Sequence, residues 1–366
     1  MGGGLIQLVA YGAQDIYLTN EPQVTFFKAI YKRHTHFAME SIIQSYDGIA
    51  DFGDTVSLIV ARNGDLVGNI TVEAQLPDIT PYGLTGYSTF GWIQGVGNYL
   101  ISRTAIYIGG QKIDEQYGLW MDIWSELTLN ESQVDGYGTM IGRDYSKKAY
   151  EPYDITVSPG NRLFIPLQFW FCRNPGLAIP LIALQYHEVK LDISIEKYKN
   201  LLVATDDLGE YLKPDINPDL QIPVIGSFNV YTEYYFLDSI ERRKFAQNAH
   251  EYLIEQTQSQ AGNMTSTTLE NILRINLNHP TKELVVVFNR NNSNSPQNDF
   301  SLGADKIPNG TPADFAPVYS MKLLINGHDR FRQRAGQYFS LVQPYQHHTR
   351  IPNLSLIHIS EPTRPY

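Results

Sequence analysis

Apolar and polar residues alternate most cleanly over residues 187–196, where Val189, Leu191, Ile193 and Ile195 fall on one side and Lys190, Asp192, Ser194 and Glu196 on the other. A period of two puts one face in a core and the other in solvent, so the segment predicts a strand half-buried in a sandwich. Over residues 54–76 two extended runs flank Arg62-Asn63-Gly64-Asp65, and Asn-Gly between β-prone segments predicts a hairpin. Residues 104–108 and 111–113 flank Gly109-Gly110 and predict a second one. The period then lengthens: Leu119, Trp120, Ile123, Trp124 and Leu127 recur at helical intervals. An earlier short amphipathic helix is expected after Asn20-Glu21-Pro22, with Phe26, Phe27, Ile30 and Tyr31 on one face and Lys28 and Lys32 opposite.

Residues 206–223 change texture to Asp, Gly, Pro and Asn with few periodic apolar positions, which predicts a linker. A strand-like run at 228–236 leads into Asp238-Ser239-Ile240-Glu241, where an acceptor three residues before Glu resembles a capping box. Strands are expected at 283–288 and 318–325, with Val285, Val287, Leu323 and Ile325 as inward positions. Between them residues 289–317 form a polar, aperiodic stretch expected to be a long exposed loop. The expected organisation is an arm and short helix over 1–41, a first sandwich over 42–205, a linker over 206–223 and a second sandwich over 224–353.

Composition sharpens this. The 366 residues include 24 Tyr, 16 Phe, 28 Gly and 20 Pro, which favours many short strands joined by turns. With 28 Lys plus Arg against 38 Asp plus Glu, the formal charge of −10 argues against direct nucleic-acid binding. A single cysteine, Cys172, precludes an internal disulfide and suits a reducing compartment. There is no signal-peptide pattern and no apolar run long enough to span a bilayer. The opening MGGGL invites a myristoylation reading, but Ile6 stands where that motif wants Ser or Thr, and a flexible glycine arm is expected.

Candidate chemistry is sparse. His34-Thr35-His36 with Glu40 has the H-x-H-x3-E spacing of a cupin metal site, yet no downstream ligand motif completes it, so a structural role is expected. His347-His348 has no carboxylate at ligand spacing and reads as a polar strand end. Cys172 lies in the aromatic run PLQFWFCRN and is expected to be an inert thiol in a strand. His187-Glu188 and His250-Glu251 lack the second His of a zincin pattern. Lys28, Lys32, Arg33 and His34 read as a solvated helix face. Acceptor-type N-x-[ST] sequences occur at Asn69, Asn130, Asn263, Asn291 and Asn309, of which Asn291 and Asn309, in the expected loop, are the exposed candidates for glycosylation. No catalytic, cofactor-binding or metal-binding residue is assigned.

Residues 354–364 read LSLIHISEPTR, the in-frame translation of a transposase-type sequencing adapter. Residues 354–366 are therefore expected to be a non-native tail lying disordered or loosely on the surface, and the native reading frame to be cut after about Asn353. An amphipathic strand using Leu354, Leu356, Ile357 and Ile359 is the alternative.

Ordered segments along nearly the whole chain resemble the major capsid proteins of nucleocytoplasmic large DNA viruses, the iridovirus, phycodnavirus and mimivirus group. These are LIQLVAYGAQDIYLT (5–19), PQVTFFKAIYKRHTHFAMES (22–41), RNGDL (62–66), IGGQKIDEQYG (108–118), LFIPLQFWFCRNPGLAIPLIALQYHEVKL (163–191), DSIERRKFAQNAHEYLIEQ (238–256) and INGHDRFRQRAGQYFSLVQPYQHHTRIPN (325–353). The resemblance implies an all-β fold of two consecutive jelly rolls, the second incomplete here because further strands follow the RIPN-like segment in the family. It also implies a homotrimeric, pseudo-hexagonal capsomer in an icosahedral virion shell, in contact with neighbouring capsomers, minor capsid proteins and an inner viral membrane, with no cofactor and no enzymatic activity. The readings set against it are a cupin-like metal-dependent enzyme and a carbohydrate-binding jelly-roll attachment protein.

Overall fold

The structure, a computed structural model, describes residues 35–79, 89–147, 151–153, 162–207, 223–263, 270–288, 318–325, 327–352 and 356–359, with residues 13 and 212 besides. The expected N-terminal helix, most of the 206–223 linker and the loop 289–317 lie outside the described residues. Apart from residues 35–37, all that follows lies in the compact unit that starts at Ala38.

Two antiparallel sheets form the first sandwich. One is ordered β1 (Phe37–Gln44), β11 (Phe228–Leu237), β3 (Leu66–Gln75), β7 (Arg162–Pro166), with the short β8 (Ile179–Pro180) also on β3. The other is ordered β2 (Thr55–Ile59), β9 (Val189–Ile195), β5 (Ile101–Ile108), β6 (Gln111–Gln116). A small pair, β4 (Thr89–Trp92) with β10 (Leu202–Thr205), adjoins them. The alternation read at 187–196 is realised in β9: Val189, Leu191, Ile193 and Ile195 are buried, while Lys190, Asp192 and Ser194 are more open. They pack with Val56, Leu58, Val67, Ile70, Val72 and Ile165 in one continuous core. Near the β4–β10 pair the core is aromatic, with Phe52, Trp92 and Tyr198 in mutual ring contact at 5.3–6.1 Å.

The Gly109-Gly110 hairpin is as expected. Tyr107 pairs with Lys112 and Ile108 with Gln111, and both glycines have positive φ, 58° and 81°, which a two-residue turn between twisted strands demands. The Arg62–Asp65 expectation fails. β2 pairs with β9 and β3 with β11 and β7, so the segment between β2 and β3 crosses from one sheet to the other. Local turn chemistry cannot distinguish a hairpin from a sandwich corner, because the choice depends on which distant strand each arm finds. Gly64 serves this corner differently: a Cβ there would lie 2.8 Å from that of Tyr234, so β11 can pass only over a glycine.

The strand expected to open the second sandwich also belongs to the first. β11 runs antiparallel to β3 from Phe228↔Ala74 to Tyr235↔Leu66, burying Phe228, Val230, Thr232 and Tyr234. The chain thus returns across the 206–223 segment to fill a place in the first sheet between β1 and β3. The capping signal is realised as read: the Asp238 side chain accepts from the Glu241 N–H at 2.8 Å and starts a helix, Ser239–Gln247.

Beyond this helix the described residues contain shorter elements: β12 (Leu284–Val287), β13 (Ser320–Met321) paired with β16 (Arg334–Ala335), and β14 (Leu324–Ile325) paired with β15 (His328–Asp329). A helical run follows, Tyr338–Val342 continuing into Gln343–His347. The core here is small: Phe331 and Phe339, rings 5.1 Å apart, with Leu284, Val286 and Leu323 around them. The tail departs from expectation. Leu356–Ile359 forms a strand, β17, antiparallel to β12, with Leu284↔Ile359 through Val287↔Leu356. Its β-prone, alternating sequence suffices for this, since an edge strand offers backbone hydrogen bonds to any extended chain.

Leu191, at 0 % exposure, and Ile59, at 52 %, bracket the energetics. Leu191→Ala is expected to cost about 3 kcal/mol through lost burial and the cavity left behind, whereas Ile59→Ala is expected to stay within about 0.5 kcal/mol. Equilibrium urea denaturation checks both.

Candidate functional site at the seam between the two halves

Helix α2 (Gly118–Thr128) leaves the end of β6 and lies between the first sandwich and the later half of the chain. Its start is set by a close approach: a Cβ on Gly118 would stand 2.3 Å from the carbonyl oxygen of Asn98 in the short helix α1 (Val96–Leu100). Met121 points into the core of the first sandwich. Ile123 and Leu127 are buried with Trp120 against Val285 and Val287 of β12. Those two valines were expected to face the interior of a second sandwich. Because side chains alternate along β12, Leu284 and Val286 turn toward Phe331 and Phe339 instead, and Val285 and Val287 glue the strand to α2.

The polar face of α2 carries Asp122 and Glu126, four residues apart and 2 % and 0 % exposed. Arg143, just beyond α3 (Glu131–Ile141), places Nη1 2.7 Å from Asp122 Oδ1 and Nη2 3.1 Å from Glu126 Oε1. The Tyr99 hydroxyl donates to Asp122 Oδ2 at 3.0 Å, and the Tyr137 hydroxyl to Asn98 Oδ1 at 3.2 Å. Burial pulls against the Arg143 charge, but Asp122 and then Glu126 outweigh it and hold its pKa above the usual arginine value. Burial and the Asp122 carboxylate both push the Tyr99 hydroxyl well above its ordinary range, so it stays a donor. From the later half Arg350 reaches the same carboxylates, with Nη1 3.8 Å from Glu126 Oε2 and Nε 3.9 Å from Glu131 Oε2, while its backbone N–H donates to the Leu127 carbonyl at 3.3 Å.

A second contact lies alongside. The Arg173 guanidinium stacks 3.8 Å from the centre of the Trp124 ring and gives Nη1 to Glu255 Oε2 at 2.8 Å, while Lys282 also pairs with Glu255. Burial lowers the pKa of Arg173, with Glu255 and Asp114 pulling it back up. The 251–263 segment runs along the outer strand β6: the Thr257 N–H donates to Asp114 Oδ1 at 2.9 Å and Gln256 Nε2 to the Ile113 carbonyl. One backbone carbonyl of this outer strand, that of Ile113, is thereby occupied. The His348 ring meets Trp124 edge-on at 6.3 Å, and its Nε2 lies 3.2 Å from Glu283 Oε2.

The residues singled out in the sequence are not brought together. His36 and Glu40 are exposed at β1, and His34, with Lys28, Lys32 and Arg33, lies outside the described residues. His347 ends a short helix, not a strand, and the carboxylate beside His348 comes from Glu283, which no local spacing could reveal. The His250 ring stacks on Phe245 at 5.1 Å, and His187 lies under Gly109. Among the described residues no group of three or more His, Cys, Asp or Glu side chains could hold a metal ion. Cys172 sits in a helical turn, Trp170–Arg173, where the expectation was a strand; the turn lets the adjacent Trp170 and Phe171 both enter the core, whereas a strand would send them to opposite faces. Burial pushes its thiol up to about 12. Asn69, Asn130 and Asn263, read as less open than the loop sites, are exposed, whereas Asn291 and Asn309 lie outside the described residues.

Two outcomes follow from this inventory. Because a thiol that titrates near 12 is almost wholly protonated at pH 8, Cys172 is expected to resist a thiol-specific reagent in the native protein and to react promptly in 6 M urea, as read by mass spectrometry. His34→Ala with His36→Ala is expected to leave circular dichroism and melting temperature unchanged, and elemental analysis of the parent protein to find no stoichiometric zinc or iron.

Comparison with known proteins fits a chain built this way. Residues 25–238 match the family model for the major capsid protein N-terminus, and residues 241–360 that for the large eukaryotic DNA virus major capsid protein. The chain is 43% identical to the major capsid protein of Pyramimonas orientalis virus over 359 residues, covering 98% of this chain and 79% of that one. It is 38% identical to the major capsid protein of Paramecium bursaria Chlorella virus 1 over 372 residues, covering 94% and 78%. Its fold superposes on a chain of the quasi-atomic PBCV-1 virus capsid with a TM-score of 0.69 at 32% identity, covering 92% and 80%. The Faustovirus major capsid protein, at 13% identity and a TM-score of 0.62, shares the fold alone, which is the double jelly roll. The chain therefore belongs to the major capsid proteins of large eukaryotic DNA viruses, structural proteins of the virus shell and not enzymes.

Proposed function

We propose that this chain self-associates into homotrimers that serve as the pseudo-hexagonal capsomers of an icosahedral shell. The observation that carries the reading is the match to capsid relatives along nearly the whole chain, joined to a seam that makes two β-rich halves one body. Three copies of a subunit with two similar lobes present six lobes around one axis, which suits close packing on a flat facet. The division we favour assigns β1 to β11 to the first jelly roll and the chain from helix Ser239–Gln247 onward to the second; the break between the two family matches, 238 against 241, supports it.

Neighbouring capsomers and minor capsid proteins are the partners proposed, with the inner viral membrane as a further contact. A formal charge of −10 speaks against direct contact with the genome. Assembly in the host cytoplasm accords with one cysteine, kept as a free thiol. Asn291 and Asn309 remain the proposed glycan acceptors, to be read by peptide mapping of virion-derived protein. Expressed with its intact reading frame, the protein is expected by light scattering at three times the mass of that full-frame chain. A stable monomer at micromolar concentration would overturn the capsomer reading.

A further inference from the structure

β12 reads Leu-Val-Val-Val, a continuous apolar run, and both of its faces are covered: Val285 and Val287 by α2, Leu284 and Val286 by the core around Phe331 and Phe339. A run of this kind is the pattern of a strand packed on both faces. Side-chain packing fixes where β12 lies, but it leaves the N–H and C=O groups of a half-buried strand in need of partners. Among the described residues the only strand paired with β12 is β17. β17 lies in the stretch that reads as translated adapter, a sequence under no selection to fit this protein. It nevertheless takes an unbroken antiparallel register along the whole of β12. What brings it there is its place in the chain. The Arg350 N–H is bonded to the Leu127 carbonyl at 3.3 Å, Leu127 packs with Val285 and Val287, and Pro352 is buried. Leu356 follows six residues after Arg350, and an extended chain of that length reaches about 20 Å, enough to meet β12.

We propose that the edge of β12 is a strand-acceptor site: it captures an extended segment tethered at Arg350 through backbone hydrogen bonds, with little regard to side chains, and residues 356–359 occupy it as a surrogate strand. A segment held this close has an effective concentration on the order of millimolar, so modest backbone pairing is enough to keep the site filled. Pairing of this kind takes its strength from main-chain bonds, and any preference among segments from the side chains that alternate along them. The tail is therefore a working part of this chain, closing an apolar edge that would otherwise be open to another copy. The inference does not depend on trimer formation and concerns each chain by itself.

Amide hydrogen exchange on the whole chain tests it with two variants. The first carries Ile357→Pro and His358→Pro together; adjacent N–H groups of a strand point to opposite edges, so one of the two lost donors faces β12. The second carries Leu356→Thr, Ile357→Val, His358→Thr and Ile359→Val, which change every side chain of β17 and keep its strand preference. The proline pair is expected to speed exchange at residues 284–287 by about tenfold or more, and the four-residue variant to stay within about threefold of the parent. If the proline pair proves insoluble, a soluble four-residue variant supports the proposal equally. Unchanged exchange in the proline pair overturns it, since β12 then holds no tail strand. A four-residue variant that exchanges as fast as the proline pair, or is likewise insoluble, also overturns it, by showing that β12 selects the side chains of residues 356–359 and not an extended backbone.

Discussion

The burial of two carboxylates on one face of α2 is the constraint around which the subunit is arranged. Asp122 and Glu126 can be taken out of water only if cations follow them, and Arg143 and Arg350 come from separate parts of the chain. The adjoining face of the same helix, with Ile123 and Leu127, is apolar and holds Val285 and Val287. One helix therefore joins the halves twice, by contact on one face and by charge on the next. Trp124, stacked on Arg173, tightens the same junction from a third direction.

The first sandwich is the rigid partner in this arrangement. Its core runs without a break through both sheets, and β6, its outer strand, is partly covered by the 251–263 segment. The later half has a core centred on Phe331 and Phe339 and presents large apolar side chains to solvent, with Leu253 at 83 %, Ile272 at 80 % and Tyr319 at 95 % exposure. Exposed apolar surface of this kind is what association covers. A shell subunit works through such surfaces, and its chemistry is correspondingly quiet: a buried thiol, and histidines engaged with aromatic rings and backbone.

Much was legible in the sequence because it depends on neighbours in the chain. The period of two in β9, the period of 3.6 in α2, the glycine pair of the β5–β6 turn and the Asp238 cap are all set within a dozen residues, and each appears where it was read. The family, too, was recognisable from ordered segments such as those at 163–191 and 238–256. The acidic pair on a buried helix face was a signal available at the same level, two charges four residues apart beside Ile123 and Leu127, and it marks the seam.

What the sequence by itself determined is the all-β class and the elements with a plain period, such as β9 and α2, since strand and helix periodicity are local consequences of side-chain direction. Only the tertiary structure decided which elements meet. It placed β11 in the first sheet, made a sheet-to-sheet crossing of the Arg62–Asp65 turn, turned Val285 and Val287 toward α2, and brought Arg350 and Glu283 to their partners. The reason is physical: an apolar strand is satisfied by any core and an arginine by any buried carboxylate, so the choice falls to whichever pairing satisfies all of them together.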